Sequence, residues 1–459
     1  MLVLLAGLVA LTGGGSRSDI QSLIVLRPAA VLILGYALCG LTASQLRSVR
    51  TPALLVGGFM LLTLMQLVPL PPSVWESLPN REEVARISAL LGMEHLWRPL
   101  SLDPNRTWNT FFALVVPMGA VILVAIQAPD YRRFIVPVLV LTGLLSAALG
   151  FLQAIGGRGL HLYEITHEGF PVGLFANKNH QSVMLLWLML SAAWGATLAD
   201  PRRRSATAAV GGALALIVVL FPLLILTGSR AGLLLSLPLL MICFWLLYRA
   251  PAMKTILRQS GRRARLIVGG LAASLAACLL FVFSALAASD RQTALSRLFE
   301  ANAAEDLRSS YLPILVRMAV EYLPFGSGFG SFEAVFDRYE PSEMLTSRYM
   351  NQAHNDLVQV VIEGGLAGLA ILLVGVSWIA RSCWVLWRTP GPENRSAAIF
   401  YASSLGLWLA ASLVDYPLRT PLAAMLFATL AAYLALTVAQ ATPALSVSVD
   451  CSDRPKDAD

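Results

Sequence analysis

Charge is what this sequence has least of: 13% of its 459 residues are Asp, Glu, Lys or Arg, about half the share in soluble domains. With 57% hydrophobic residues and a mean hydropathy of +0.68, that scarcity excludes a soluble globular protein. The expectation is an all-α, polytopic membrane protein. Cysteine is scarce as well. Cys39, Cys243, Cys278, Cys383 and Cys451 fall in expected helices or on the expected cytoplasmic side, so no outer-face disulfide is expected. No CxxC and no His-x-x-x-His spacing occurs, so neither a metal nor another cofactor is expected. The lack of a P-loop or glycine-rich nucleotide fingerprint argues against ATP as energy source. The net charge of +7 does not imply nucleic acid, since much of the basic surplus serves membrane orientation and anionic lipid.

What is present is a succession of apolar runs, each about 18–22 residues and long enough to cross the hydrocarbon core. They lie near 20–41, 52–70, 108–128, 133–155, 181–199, 206–226, 231–248, 265–287, 356–379, 396–414 and 419–440. The shorter run 1–11 is expected to be a twelfth helix: no Lys or Arg precedes it, and Gly13-Gly14-Gly15 is not a small-x-small cleavage site. This gives five segments. Residues 1–109 hold N-terminal membrane helices with an outer loop 71–107, and 110–287 hold the central helices. A large outer loop, 288–354, is followed by C-terminal helices at 355–440 and a tail, 441–459.

Orientation follows from the basic loops. Arg47 and Arg50, Arg132 and Arg133, Arg202 to Arg204, the cluster Arg249 to Arg265, and Arg381, Arg388 and Arg395 mark cytoplasmic loops, with the C-terminal tail on the same side. The long loops then face outward, and all five histidines (95, 161, 167, 180 and 354) fall in them. Arg230, Arg308, Arg317, Arg338, Arg348 and Arg419 also lie outside, where orientation gives no reason for them. Arginine suits bidentate binding of phosphate or diphosphate. In the outer loop, Trp75, Trp97 and Trp108 are expected as interfacial anchors, with acceptor binding as the alternative.

Four stations carry candidate chemistry. Gly173-Leu-Phe-Ala-Asn177-Lys178-Asn179-His180-Gln-Ser182 precedes an apolar run, where it either grips an anion or supplies an ordinary N-cap through Asn179 or Ser182. Leu226-Thr-Gly-Ser-Arg230-Ala-Gly232 is a tight outer turn in which Arg230 binds a ligand or snorkels. The large loop holds Arg308, Arg317 and the turn Leu323-Pro-Phe-Gly326-Ser-Gly328-Phe-Gly330, which either admits a ligand close to backbone or simply stops a helix. Finally, Asn351-Gln-Ala-His354-Asn355-Asp356 leads into a helix on which Asp356, Gln359 and Glu363 share one face. Membrane carboxylates are costly unless they line a cavity or find a partner. The plainer alternative is that Asn355 or Asp356 caps that helix and His354 is a solvated loop residue.

The four stations, in this order, resemble the O-antigen ligase/polymerase superfamily: Gly173-Leu-Phe-Ala-Asn-Lys-Asn-His, Thr227-Gly-Ser-Arg-Ala-Gly, Arg308 with Pro324-Phe-Gly-Ser-Gly, and Ala353-His-Asn-Asp-Leu-Val-Gln with Glu363-Gly-Gly-Leu-Ala-Gly. The resemblance covers about residues 110–440 and departs from the His-x-His-Asn of many relatives at Gln352. It implies a bacterial inner-membrane glycosyltransferase with a periplasmic active site. Such an enzyme moves a glycan from undecaprenyl diphosphate to a hydroxyl of lipid A-core, a growing glycan or another acceptor. By position, His354 would be catalytic. Arg230 and Arg308, or Arg317 in the same segment, would hold the diphosphate. Asn177, Lys178, Asn179, His180, Asn355, Asp356, Gln359 and Glu363 would support them. The chemistry suits these residue types: histidine takes a hydroxyl proton near neutral pH, and arginines stabilise a leaving diphosphate. Direct, inverting, metal-independent attack is expected. Ligase, repeat-unit polymerase for O-antigen or exopolysaccharide, and protein glycosylation share this donor chemistry and stay open. A lipid-linked glycan transporter would place its polar groups near mid-membrane, whereas here they gather at the outer helix ends.

Overall fold

The computed structural model describes residues 1–156, 158–200, 204–253, 303–344 and 350–442. The expected span 265–287, Arg348 and most of the tail 441–459 lie outside them. Helix dominates the described residues, and every other expected span appears as one. Among the described residues six helices are long and apolar enough to cross a membrane: Pro104–Ile126, Pro129–Gly156, Ser205–Leu226, Arg230–Arg249, Asp356–Arg388 and Pro421–Ala441. Leu2–Thr12, Leu23–Cys39 and Arg50–Met65 are apolar but shorter. Lys178–Thr197 and Pro392–Ala411 have the length, with polar first turns (Lys178 to Gln181, Glu393 to Arg395) that dilute their apolar character.

The described residues gather into two units. The first takes in Met1–Ile126, Ala301–Trp378 and Leu409–Thr429. Its N-terminal helices pack together, and the Gly13 carbonyl accepts the Leu422 N–H at 2.9 Å, tying the first helix to the start of Pro421–Ala441. The outer loop is pinned by a two-residue antiparallel ladder, Pro69 opposite Pro99 and Leu70 opposite Arg98. Trp75 is buried and donates from Nε1 to the Pro99 carbonyl at 2.9 Å, so it is a loop core residue rather than an anchor. Trp97 and Trp108 are exposed. Arg81 is 1% exposed, its guanidinium 5.6 Å from the Trp75 ring and 5.7 Å from the Tyr322 ring. Burial pushes its pKa down to about 10.

The large loop has a core of its own. Helix Ala303–Glu321 and the short helix Phe332–Phe336 bury Tyr311, Leu315, Met318, Tyr322, Phe332 and Phe336 together with Ile362 of the following membrane helix. One face of the loop therefore belongs to the same apolar cluster as the helix it precedes.

The second unit takes in the described parts of Gln127–Glu300, Ile379–Trp408 and Leu430–Asp459. Here Lys178–Thr197 is the central helix, most of its residues buried. Trp194 stacks on Phe400 with ring centroids 4.0 Å apart.

Candidate functional site

The helix that follows His354 is not continuous. Asp356–Arg388 is broken at Gly365, whose φ of 58° and ψ of −150° lie in a region that favours glycine. The glycine turn of the large loop laces into that break. Ser327 N–H donates to the Ile362 carbonyl at 2.8 Å, Gly328 N–H to the Glu363 carbonyl at 3.0 Å, and Leu366 N–H to the Pro324 carbonyl at 2.9 Å. The Gln66 side chain completes the seam, donating to the Glu363 carbonyl at 2.8 Å and accepting from Phe329 N–H at 2.9 Å. No ligand is needed to explain these glycines: a Cβ on Gly326 would stand 2.5 Å from the Glu363 carbonyl oxygen, and one on Gly365 2.1 Å from that of Pro324. The turn admits backbone, and it fixes the loop to the helix that carries the candidate carboxylates.

On that helix the polar face folds inward. Asn355 is the cap, its side chain accepting from Val358 N–H at 3.1 Å. This leaves Asp356 for another task. Arg419, from the turn Pro417–Arg419, donates to Asp356 at 2.8 Å and to Glu363 at 3.1 Å. Glu363 is fully buried and also accepts from Gln359 at 3.1 Å. Gln359 in turn accepts from Ala353 N–H at 2.8 Å and donates to Gln352 at 2.6 Å. A buried carboxylate without a partner costs several kcal/mol in a low-dielectric setting. One guanidinium held by two carboxylates meets that demand and locks the backbone on both sides of His354.

His354 adopts φ 50°, left-handed for a residue with a Cβ, a strain of about 1–3 kcal/mol that persists only where the surroundings impose it. The turn aims Nδ1 at Asp415, 3.4 Å from Oδ1, and sets the ring 4.8 Å from that of Tyr416. The separation is ion-pair range, longer than a good hydrogen bond; such contacts tighten in substrate complexes. The His354 side chain is 21% exposed and that of Asp415 3%. Histidine beside a buried carboxylate is an arrangement that orients the ring.

A cavity of about 760 Å³ opens beside this network within the first unit. Asn351, Gln352, Asp356, Glu363, Ser412 and Arg419 line one part, and Arg17, Asp19, Arg27, Arg106, Asn109 and Glu333 another. Arg317 is not among its lining residues: it is 72% exposed and paired with Glu321 at 2.7 Å. Arg308 lies on the helix Ala303–Glu321, its side chain outside the described part.

The other expected residues stand in the second unit, where the first two stations meet each other. Asn177 caps Lys178–Thr197 by accepting from Asn179 N–H at 2.8 Å, the role expected of Asn179 or Ser182. Ser182 Oγ donates to Ser229 Oγ at 3.1 Å, and Ser229 caps the helix that Arg230 begins. Gly232 permits this approach: a Cβ there would lie 2.4 Å from Ser182 Oγ. Lys178 Nζ sits 3.9 Å over the Phe170 ring, and its backbone N–H meets His167 Nδ1 at 3.3 Å. His180 is buried, edge-on to Phe175 at 5.9 Å. Among the described residues no cluster of His, Cys, Asp or Glu suits a metal ion.

Sequence reasoning does not single out Asp415, and it marks Arg419 only as an outer arginine. The available signal was two opposite charges, in Asp415-Tyr-Pro-Leu-Arg419, between two long apolar runs.

A family model described as O-antigen ligase matches residues 215–373. The match spans the Arg230 turn, the large loop and the His354 run, and it supports the superfamily that the ordered motifs resemble. No curated protein matches the chain.

Proposed function

We propose that this O-antigen ligase-like membrane protein transfers a glycan from undecaprenyl diphosphate to an acceptor hydroxyl on the periplasmic side of a bacterial inner membrane. The observation that carries the reading is His354, held in a left-handed turn with Nδ1 toward the buried Asp415. With Nδ1 turned toward Asp415, Nε2 is the nitrogen left to take the acceptor proton as the hydroxyl oxygen attacks the anomeric carbon. Asp415 stabilises the imidazolium that results. Arg230 and Arg308 neutralise the departing lipid diphosphate. The attack is direct, so the anomeric configuration inverts. Asp356, Glu363, Gln359 and Arg419 hold the turn, and Asn177, Lys178, Asn179 and His180 support the helix entrance beside Arg230. Among acceptors we favour ligation, because the matching family model is described by that activity.

The experiment is the glycan profile of a strain lacking the gene, complemented with wild type or His354→Ala, read separately for lipid-carrier and acceptor-linked material. Long chains stranded on the carrier in the variant support ligation. Single repeat units stranded there support polymerisation instead. A profile fully restored by His354→Ala removes His354 from catalysis.

A further inference from the structure

The 760 Å³ cavity contains one cation that the network around His354 does not explain. Arg27 sits about one turn into the apolar helix Leu23–Cys39. Its Nη1 donates to Asn109 Oδ1 at 2.7 Å, and its Nε is buried without a hydrogen-bond partner. Every other arginine lining the cavity is paired with carboxylate: Arg17 with Asp19 at 2.5 Å, Arg106 with Glu333 at 2.6 Å, and Arg419 with both Asp356 and Glu363. Among the described residues Arg27 alone lines the cavity without one. A guanidinium in an apolar helix is retained where something neutralises it.

Much of the remaining cavity wall is hydrocarbon. Leu26, Phe112, Val116, Leu372, Leu373 and Val376 line it. From the break at Gly365 to Val376 the helix rises about 16 Å, close to the roughly 15 Å of one leaflet's hydrocarbon. Charge at one end and an apolar wall of that depth describe a lipid.

We infer that this cavity is a binding site for an anionic phospholipid of the bilayer, its phosphate on Arg27 and Asn109 and an acyl chain along the apolar wall. One uncompensated guanidinium matches the single negative charge of a phosphodiester. A diphosphate would bring a second negative charge toward Asp356 and Glu363, which already outnumber Arg419 two to one. The site is therefore distinct from the one that grips the donor's leaving group, and it sets a bilayer lipid beside the carboxylates that hold the His354 turn.

The test is native mass spectrometry of the delipidated full chain, titrated with phosphatidylglycerol, phosphatidylethanolamine or undecaprenyl diphosphate. Wild type is expected to retain one phosphatidylglycerol with about tenfold preference over phosphatidylethanolamine. Arg27→Gln should lose about tenfold in that affinity, the scale of one charge-assisted contact. Leu373→Trp, which leaves the charge and fills the wall, should also exclude the lipid, and it reads the proposal if Arg27→Gln does not fold. Wild-type retention of phosphatidylglycerol by either variant overturns the site. So does equal binding of the two phospholipids, or preferential displacement by undecaprenyl diphosphate.

Discussion

His354 Nδ1 and Asp415 Oδ1 stand 3.4 Å apart, the carboxylate buried and the ring partly open. The proposed function requires this asymmetry of a base and its orienting acid, and the ring is the more exposed of the two. Asp415→Asn preserves the shape and removes the charge. Glycan transfer is expected to slow by about 10²-fold, with donor binding retained. An unchanged rate would show that Asp415 merely packs.

Arg419 is the keystone of the buried charges. Arg419→Ala leaves Asp356 and Glu363 without their cation, a loss of about 3–5 kcal/mol for a broken buried pair. Thermal unfolding of the purified protein measures it. Neutralising all three positions together (Arg419→Met, Asp356→Asn, Glu363→Gln) should recover most of the stability. A single Arg419→Ala as stable as wild type would contradict the network.

Glycine substitutions separate the seam from open positions. Gly365→Ala and Gly326→Ala both force a Cβ onto backbone atoms at positive φ, and each is expected to cost at least about 2 kcal/mol. Gly211→Ala, where a Cβ would meet nothing within 4 Å, should be neutral or slightly stabilising. Equal yields of folded protein for Gly211→Ala and Gly365→Ala would contradict the seam.

Acid should loosen the large loop through Glu321. Hydrogen bonds from Tyr339 and Arg317 hold its carboxyl below the usual 4.5. A group depressed in the folded state stabilises above its unfolded pKa and loses that contribution as pH falls through the folded value. Hydrogen exchange across 311–322 should therefore quicken below about pH 4.5, and Glu321→Gln should remove the acid-dependent part. The size is modest because both Glu321 and Arg317 are partly exposed.

Apolar length makes the helices readable in advance, and the run Asn351 to Glu363 sets Asp356, Gln359 and Glu363 on one helix face. What was hidden depends on partners far away in sequence. Asp356 and Glu363 find Arg419 63 and 56 residues later, a distance over which side-chain periodicity carries no information. The glycine turn 326–330 reads equally well as a ligand cradle or a helix stop until the Glu363 carbonyl is seen filling it. Gln66 sits without distinction inside the apolar run 52–70, yet it bridges to Glu363 and Phe329, 297 and 263 residues on. Arg317 shows the reverse. Its residue type suited phosphate, but an i, i+4 glutamate already holds it at the surface.

The most direct measurement is glycan transfer by purified protein in lipid discs, supplied with an undecaprenyl-diphosphate-linked glycan and a hydroxyl acceptor, for wild type and His354→Ala. The account predicts acceptor-linked product of inverted anomeric configuration from wild type. It predicts none from a His354→Ala protein that is folded and still binds the donor. Transfer at the wild-type rate by His354→Ala would contradict it.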